Sequence, residues 1–340
     1  MRPRPVLSLG AREVGSLSPC FLIASAGVAH EGAAETALKM IEAAFPMGAD
    51  GILFTIFRSA DLVVRRHPER RHLESLELRP REWKKIFGAA RASGLPVVAE
   101  ALDTASLELA VEAEADALQL HAADLENPEL VRAFAASGRP VLLATGGADE
   151  GLLREALDLL SGTAFGVLHG PAAAPASLED LRLRELRSLK ERHGVPVGFQ
   201  DATDGGGAFA LLAPALAAAH GADFVEKRFT LDRAKKGPDY ESAVSPEDFY
   251  RMAELLRQAE RAQGDPVGQP SRNLRGLQRS IVAGGLIKRG EVLTAPMLAF
   301  KRTHERTAPG LPPRDAHRVI GRRAARPIEA DETIREDMLE

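Results

Sequence analysis

Short apolar runs bounded by turn-forming residues recur eight times in the first three quarters of this chain, and segments with helical periodicity separate them. Eight alternations of strand and helix are the number that closes a parallel (β/α)8 barrel of about 250 residues. A doubly wound open sheet shows the same alternation, so the pattern favours the barrel and leaves the open sheet as the alternative. The eight predicted strands are Phe21–Ala24, Gly51–Phe54, Pro96–Ala99, Ala117–Leu120, Pro140–Leu143, Phe165–Leu168, Pro196–Phe199 and Asp223–Glu226.

The apolar residues are mainly aliphatic, which fits strands that are buried on both faces. Of the 340 residues, 45% are hydrophobic but only 5% are aromatic. Parallel sheets covered by helices on both sides are typically rich in aliphatic side chains. The charged fraction of 27% is ordinary for a globular protein and excludes a disordered or fibrous chain.

Charge and cysteine content exclude several functional classes. The formal net charge is −4, whereas proteins that bind a nucleic-acid backbone usually carry a basic excess. Cys20 is the single cysteine, so disulfide scaffolds and cysteine-based zinc sites are excluded. The longest apolar run, 208–219, is interrupted by Pro214 and is too short to span a membrane, and the N-terminal apolar stretch is too short for a signal peptide. We therefore predict a cytoplasmic protein without a nucleic-acid or membrane partner.

The composition changes near residue 260, which predicts a second domain. We expect a barrel over residues 1–262, a Pro- and Gly-rich linker over 263–273 and a small β-rich domain over 274–340. Strand-like pieces in this last part are Arg279–Ala283, Ile287–Leu293 and Ala325–Ile328.

Polar and ionisable residues follow most of the predicted strands. In a (β/α)8 barrel the carboxyl ends of the strands carry the chemistry, and ionisable groups gathered at one cavity mouth indicate function. Because strand side chains alternate, Glu226 and Lys227 cannot both face the barrel interior. The strand-end residues singled out are His30, Glu100, His121, Thr145, His169, Asp201, Glu226, Lys227 and Arg228.

Several segments, from one end of the chain to the other, resemble the sialic acid synthase family. Members condense phosphoenolpyruvate with an N-acetylhexosamine to form nine-carbon acidic sugars. The resemblance implies a TIM barrel followed by an SAF (antifreeze-like) domain, in a domain-swapped homodimer whose tails cap the partner barrels. The matching segments are Ala24–Gly32, Leu143–Ala148, Gly198–Thr203, Glu226–Asp232, Gly237–Asp239, Arg279–Ala283, Lys301–Arg302 and Val319–Arg322.

The chain departs from the family where phosphoenolpyruvate binds. The family's general-base glutamate corresponds to Ser25, and its two phosphoenolpyruvate lysines correspond to Leu53 and Gln119. A phosphate-contacting threonine corresponds to Glu100, and a serine corresponds to Ala122. Replacing cations by a carboxylate reverses the field that would hold a substrate with nearly three negative charges.

The family's divalent metal site (Mn2+ or Mg2+) is expected to be lost. Its two histidine ligands correspond to Ala202 and Arg228. A guanidinium binds carboxylate or phosphate, but it does not act as a Lewis acid.

Other family positions remain, and they favour a retained sugar-binding end. Asp239 and the partner's copy of Arg302 match the positions that hold the amino sugar, although His304–Arg306 interrupts the usual loop after Arg302. We predict substrate binding by Asp239, Arg302, Thr145 and His30. The residues predicted to carry any chemistry are Asp201, Lys227, Arg228, Glu100 and His121.

Three functions remain open from the sequence. The first is a pseudoenzyme-like protein that binds a sugar or sugar acid without ordinary phosphoenolpyruvate condensation. The second is a divergent barrel enzyme in which Glu100, His121, His169 and Asp201 form a new metal site. The third is an active synthase that uses Arg228 and Lys227 as its cations.

Overall fold

A computed structural model describes residues 6–15, 18–264, 277–303 and 310–340. The chain divides into two units, Met1–Gly264 and Asp265–Glu340. Of the predicted linker over 263–273, Gln263 is the last residue of a long helix, and 265–273 lie outside the described residues.

Eight parallel strands close into a barrel, with the last strand hydrogen-bonded to the first. The predicted (β/α)8 architecture is therefore confirmed, and the open sheet is excluded. Each barrel strand contains most of its predicted apolar run. The strands are β3 (Phe21–Gly27), β4 (Gly51–Ile56), β5 (Val97–Ala101), β6 (Ala117–Leu120), β7 (Val141–Ala144), β8 (Phe165–His169), β9 (Val197–Asp201) and β10 (Phe224–Arg228).

Amphipathic helices pack around the barrel, and side-chain caps fix where several of them begin. Asp103, Asn127, Asp149 and Ser245 each accept a hydrogen bond from a backbone N–H in the first turn of the following helix. Two short, largely polar helices between β4 and β5 were not predicted. The helices are α1 (Ala34–Ala44), α2 (Ser59–Leu62), α3 (Arg70–Leu76), α4 (Pro80–Ala92), α5 (Thr104–Glu112), α6 (Pro128–Ala136), α7 (Glu150–Leu159), α8 (Glu185–His193), α9 (Ala213–Ala219) and α10 (Pro246–Gln263).

An N-terminal hairpin, β1 (Val6–Leu9) and β2 (Arg12–Gly15), packs against the amino ends of the barrel strands. Its apolar side chains join the interior core cluster that includes Phe21 and Phe224, the first residues of β3 and β10. The sequence did not predict this hairpin, because its strands have only four residues each and one of them begins with two charged side chains.

The C-terminal unit has its own apolar core and a small antiparallel sheet. Strands β11 (Ser280–Ala283) and β12 (Leu298–Lys301) pair with each other, and the helix α11 spans Ala316–Val319. The other two predicted strands contribute only isolated bridges, such as that between Ile287 and Ile328. Among the described helices, none has the length and hydropathy needed to cross a bilayer.

Candidate functional site

A layer of polar side chains lies inside the barrel near the carboxyl ends of the strands. An apolar layer fills the interior nearer their amino ends. Phe224 belongs to the interior cluster, whereas Val225 packs outside against the helices. Strand alternation therefore directs Glu226 inward and Lys227 outward. The polar interior layer consists of Ser25, Thr55, Glu100, Gln119, Gln200 and Glu226.

Two buried carboxylates flank a single amide nitrogen in this layer. Gln119 Nε2 donates to Glu100 Oε1 at 3.3 Å and to Glu226 Oε2 at 3.0 Å. Glu226 Oε2 also accepts from Gln200 Nε2 at 3.3 Å, and Glu100 Oε2 accepts from the Thr55 hydroxyl at 2.7 Å. The carboxylates are held by neutral donors, so none of these bonds neutralises their charge.

The pKa of Glu226 is raised above its ordinary value. Desolvation is the main cause, and the neighbouring charge of Glu100 acts in the same direction. Arg228 and the hydrogen bonds from Gln119 and Ser25 oppose this shift. The interior layer thus favours a proton or another cation beside Glu226.

Arg228 lies at the rim of the barrel and faces an exposed carboxylate. Its Nε lies 3.6 Å from Asp239 Oδ2, and its Nη1 donates to Ser242 Oγ at 3.3 Å. Asp239 adopts the left-handed backbone region with φ of 58°. The predicted residues Arg228 and Asp239 therefore lie together, and the Asp239 carboxylate partly neutralises the charge of Arg228.

A cleft of about 460 Å³ opens at this end of the barrel. The Thr145 hydroxyl has no hydrogen-bond partner in the part of the chain that the structure describes, although Thr145 is only 5% exposed. Gly146 follows at φ of +49°, and a Cβ there would approach the Ala122 Cβ to 2.5 Å. The residues that line the cleft include His121, Ala122, Thr145, Gly146, Gln200, Asp201, Ala202, Glu226 and Arg228.

Lys227 forms a buried ion pair on the outer side of its strand. Its Nζ lies 3.2 Å from Asp201 Oδ2 and donates to the Thr203 hydroxyl at 2.9 Å and to the Thr203 carbonyl at 3.2 Å. Burial lowers the pKa of Lys227, and Asp201 opposes the shift. Asp201 also accepts from the Thr203 backbone N–H and hydroxyl, so the pair fixes the loop after β9. Among the described residues that line the cleft, Asp201 is present but Lys227 is not.

The three predicted histidines have different environments. His30 is buried against Trp83, with ring centroids 5.4 Å apart, and its Nδ1 accepts from the Gly32 N–H. Burial lowers the pKa of His30 to about 4. His169 Nε2 contacts the Leu181 carbonyl at 3.1 Å, and of the three only His121 lines the cleft.

The residues present do not fit a divalent metal at the family position. Ala202 has no donor atom, and Arg228 places a cation there. The alternative set of Glu100, His121, His169 and Asp201 is not brought together, because His169 and Asp201 are engaged by Leu181 and by Lys227. Within residues 6–15, 18–264, 277–303 and 310–340, no group of three or more His, Cys, Asp or Glu side chains is arranged to hold a metal.

Sequence reasoning missed part of the interior layer. The sequence places Thr55 and Gln119 at strand ends but predicts no site role for either, and it does not single out Gln200. Alternation along each strand identifies Thr55, two residues after the interior residue Leu53, and Gln119, two residues after the interior residue Ala117. Arg302 directly follows β12 and is exposed in the C-terminal unit, and His304–Arg306 lies outside the described residues.

Comparisons with known proteins agree with the fold and with the resemblance. Residues 40–268 match the NeuB family, and residues 278–340 match the SAF domain. An uncharacterized protein of Methanocaldococcus jannaschii is 31% identical over 303 residues, covering 87% of this chain and 88% of that protein. N,N'-diacetyllegionaminic acid synthase of Legionella pneumophila is 26% identical, with 96% of both chains covered.

A solved structure of a sialic acid synthetase also resembles this chain in fold and sequence. The N-acetylneuraminic acid synthetase of Leptospira borgpetersenii, determined with citrate, superposes with a TM-score of 0.75 at 25% identity, covering 79% of this chain and 94% of that chain. The chain therefore belongs to the NeuB family, the sialic acid synthase-like family of nonulosonic acid biosynthesis, and carries the family's C-terminal SAF domain.

Proposed function

We propose that the barrel mouth binds a sugar or sugar acid of nonulosonic acid metabolism and does not condense it with phosphoenolpyruvate. The observation that carries this proposal is the pair of buried carboxylates, Glu100 and Glu226, joined through Gln119. The resemblance puts two phosphoenolpyruvate lysines at the positions of Leu53 and Gln119.

Electrostatics make phosphoenolpyruvate a poor ligand for this layer. A trianion placed beside two carboxylates in a water-poor barrel would meet repulsion on the order of several kcal/mol, where the family gains attraction of similar size. Lys227 does not relieve it, because its ammonium faces outward and is paired with Asp201. Arg228 offers one cation, and that cation is shared with Asp239.

The same layer suits a ligand rich in hydroxyl groups. Glu226 and the Thr145 hydroxyl provide acceptors in the cleft, and Arg228 provides a donor for an acidic group. Asp239 does not line the cleft but lies beside Arg228 at the rim. Hydrogen bonds between hydroxyl groups and carboxylates are charge-assisted and short, which makes them among the stronger polar contacts.

Turnover is tested by phosphate release. The full chain is incubated with phosphoenolpyruvate, Mn2+ or Mg2+, and either N-acetylmannosamine or a 2,4-diacetamido sugar, beside an active synthase as the positive control. We expect no phosphate above the enzyme-free rate. Sustained release that depends on both substrates would contradict the proposal.

Binding is tested separately by calorimetry and thermal shift with the same sugars and with N-acetylneuraminic acid. A ligand at a hundredfold excess over its dissociation constant stabilises the folded state by about 2.7 kcal/mol. We expect such a shift for at least one sugar, and Asp239→Ala should reduce it. If no sugar raises the melting temperature, the binding role is wrong.

A further inference from the structure

In the part of the chain that the structure describes, no cationic side chain hydrogen-bonds to Glu100 or Glu226 in the interior layer. Glu100 and Glu226 are 9% and 3% exposed, and the hydrogen bonds described for them come from uncharged amide and hydroxyl groups. The cation that acts on Glu226 is Arg228, whose guanidinium is shared with the rim carboxylate Asp239. A buried carboxylate without a paired cation is unfavourable, so either a proton or a positively charged partner stabilises it.

Two buried acceptors also lack partners among the described residues, one in the interior layer and one in the cleft. Gln119 is fully buried, and its Oε1 accepts no hydrogen bond from any residue that the structure describes, although its Nε2 lies between the two carboxylates. The Thr145 hydroxyl is likewise unpartnered, and it lines the cleft together with Glu226. The Thr145 hydroxyl can accept a hydrogen bond from a donor that enters the cleft beside Glu226, and Gln119 keeps an unused acceptor next to the two carboxylates.

We propose that the ligand presents a protonated amine to this layer, so that the site selects an amino sugar that is not acylated on nitrogen. This inference rests on the proposed sugar-binding function and specifies its substrate class. An ammonium carries three donors and one positive charge. Its donors can bond to Glu226 and to the Thr145 hydroxyl, and its charge is attracted by the carboxylate of Glu100, which lies on the other side of the Gln119 amide. An N-acetyl group supplies one donor, no charge and a carbonyl oxygen that the carboxylates repel.

A divalent metal is the competing occupant of a carboxylate pair. Ca2+ takes six to eight oxygen ligands, whereas Mg2+ is usually held by one or two carboxylates together with several waters. The described residues here offer two carboxylates, and both of them already accept hydrogen bonds from the Gln119 amide. Among the described residues no third His, Cys, Asp or Glu side chain joins them to hold a metal, so the layer favours an ammonium over a metal held by protein ligands.

Three sugars that differ only at one position provide the test. Isothermal titration of the full chain is carried out with mannosamine, mannose and N-acetylmannosamine at about pH 6.5, below the pKa of about 7.7 to 8 that is typical of such an amine. We expect mannosamine to bind at least about tenfold more tightly than the other two, as for a charged hydrogen bond that replaces a neutral one. This comparison uses the wild-type chain and needs no variant.

Isosteric variants then assign the preference to the two carboxylates. Glu226→Gln should abolish the preference for mannosamine, and Glu100→Gln should reduce it several-fold, because Glu100 acts through its field. Mannose offers a neutral hydroxyl at the same position, so either change should weaken its binding much less than that of mannosamine. Glu129→Gln removes an exposed carboxylate on α6 and should leave all three affinities unchanged.

The outcomes separate this inference from the proposed function. Equal or tighter binding of mannose or N-acetylmannosamine overturns the amine selectivity but leaves sugar binding intact. Displacement of mannosamine by millimolar Mg2+ in the wild type but not in Glu226→Gln also overturns it, because the layer then binds a metal. Absence of binding by all three sugars overturns both claims, whereas phosphate release from phosphoenolpyruvate overturns only the claim that condensation is lost.

Discussion

At the residue scale, strand alternation assigns opposite roles to adjacent side chains. Glu226 faces the barrel interior and the cleft, while Lys227, one position later, is fully buried on the other side and pairs with Asp201. The sequence predicts a chemical role for Lys227, whereas Glu226 is only one of the residues at the strand ends. Only the geometry shows that the ammonium stabilises the loop after β9.

This assignment predicts a stability effect for Lys227→Met. The change leaves the Asp201 carboxylate buried without its cation, so the free energy of unfolding should fall by about 3 to 5 kcal/mol. The double variant Lys227→Met, Asp201→Asn removes both charges and should recover part of the loss. Urea unfolding measures both effects. If the single variant is as stable as the wild type, the ion pair has no structural role.

The burial of His30 predicts that the stability of the folded state depends on pH. It is buried as the neutral imidazole with its pKa lowered to about 4, whereas the unfolded chain has a histidine pKa near 6.5. As the pH falls from about 6.5 to 4, the unfolded state gains a proton that the folded state does not bind, so up to about 3 kcal/mol of stability is lost. His169 and His193, whose pKa values are also lowered by burial, contribute in the same direction.

The variant His30→Asn keeps an acceptor for the Gly32 N–H but removes the titrating group. It should be less stable at pH 7, because Trp83 loses a packing partner, and the decline of its melting temperature between pH 6.5 and 4 should be shallower. His72→Asn, at an exposed position on α3, is the matched control and should keep the wild-type slope. Identical slopes in all three proteins would show that His30 does not remain neutral in the fold.

At the scale of elements, the strands form the site and the hairpin closes the barrel at the opposite end. The eight strand ends bring together residues that are far apart in sequence, such as Glu100 on β5 and Glu226 on β10. The N-terminal hairpin fills the other end with Leu7, Leu9 and Val14, which are nearly inaccessible to solvent.

We therefore expect the buried side chains of the hairpin to contribute to the free energy of unfolding. Leu9→Ala removes a fully buried side chain from the interior cluster and should lower the free energy of unfolding by about 2 to 5 kcal/mol. Val6→Ala on the same strand is the control, since Val6 is 47% exposed and its loss should change stability by less than about 0.5 kcal/mol. Chemical unfolding of the two variants compares them directly, and equal small effects would mean that the hairpin does not seal the barrel.

At the scale of the whole molecule, each of the two units has an apolar core of its own. The resemblance implies a domain-swapped homodimer, in which Arg302 of one chain completes the sugar site around Asp239 of the other. We propose this assembly for the chain, with a mass in solution of twice 36.5 kDa.

Mixed dimers test the swap. In a dimer of one Asp239→Ala chain and one Arg302→Ala chain, isolated with two different affinity tags, a swapped arrangement leaves one intact site of two. Titration with the sugar that binds the wild type should then recover about half of the wild-type stoichiometry. Without swapping, every site lacks one of the two residues, and binding should be as weak as in the separate variants.

The sequence by itself determined the eight strands, the β-rich tail, the family and the polar character of the strand ends, because these follow from local periodicity and from motifs contiguous in the chain. The tertiary structure decided which polar residues share the interior, namely Glu226 and Gln200 rather than Lys227 and His169. The physical reason is that barrel strands are apolar on both faces, so their hydrophobic pattern does not show which face is inside. Only the closure of the barrel and the register of its strands turned Glu100 and Glu226 toward the same amide of Gln119.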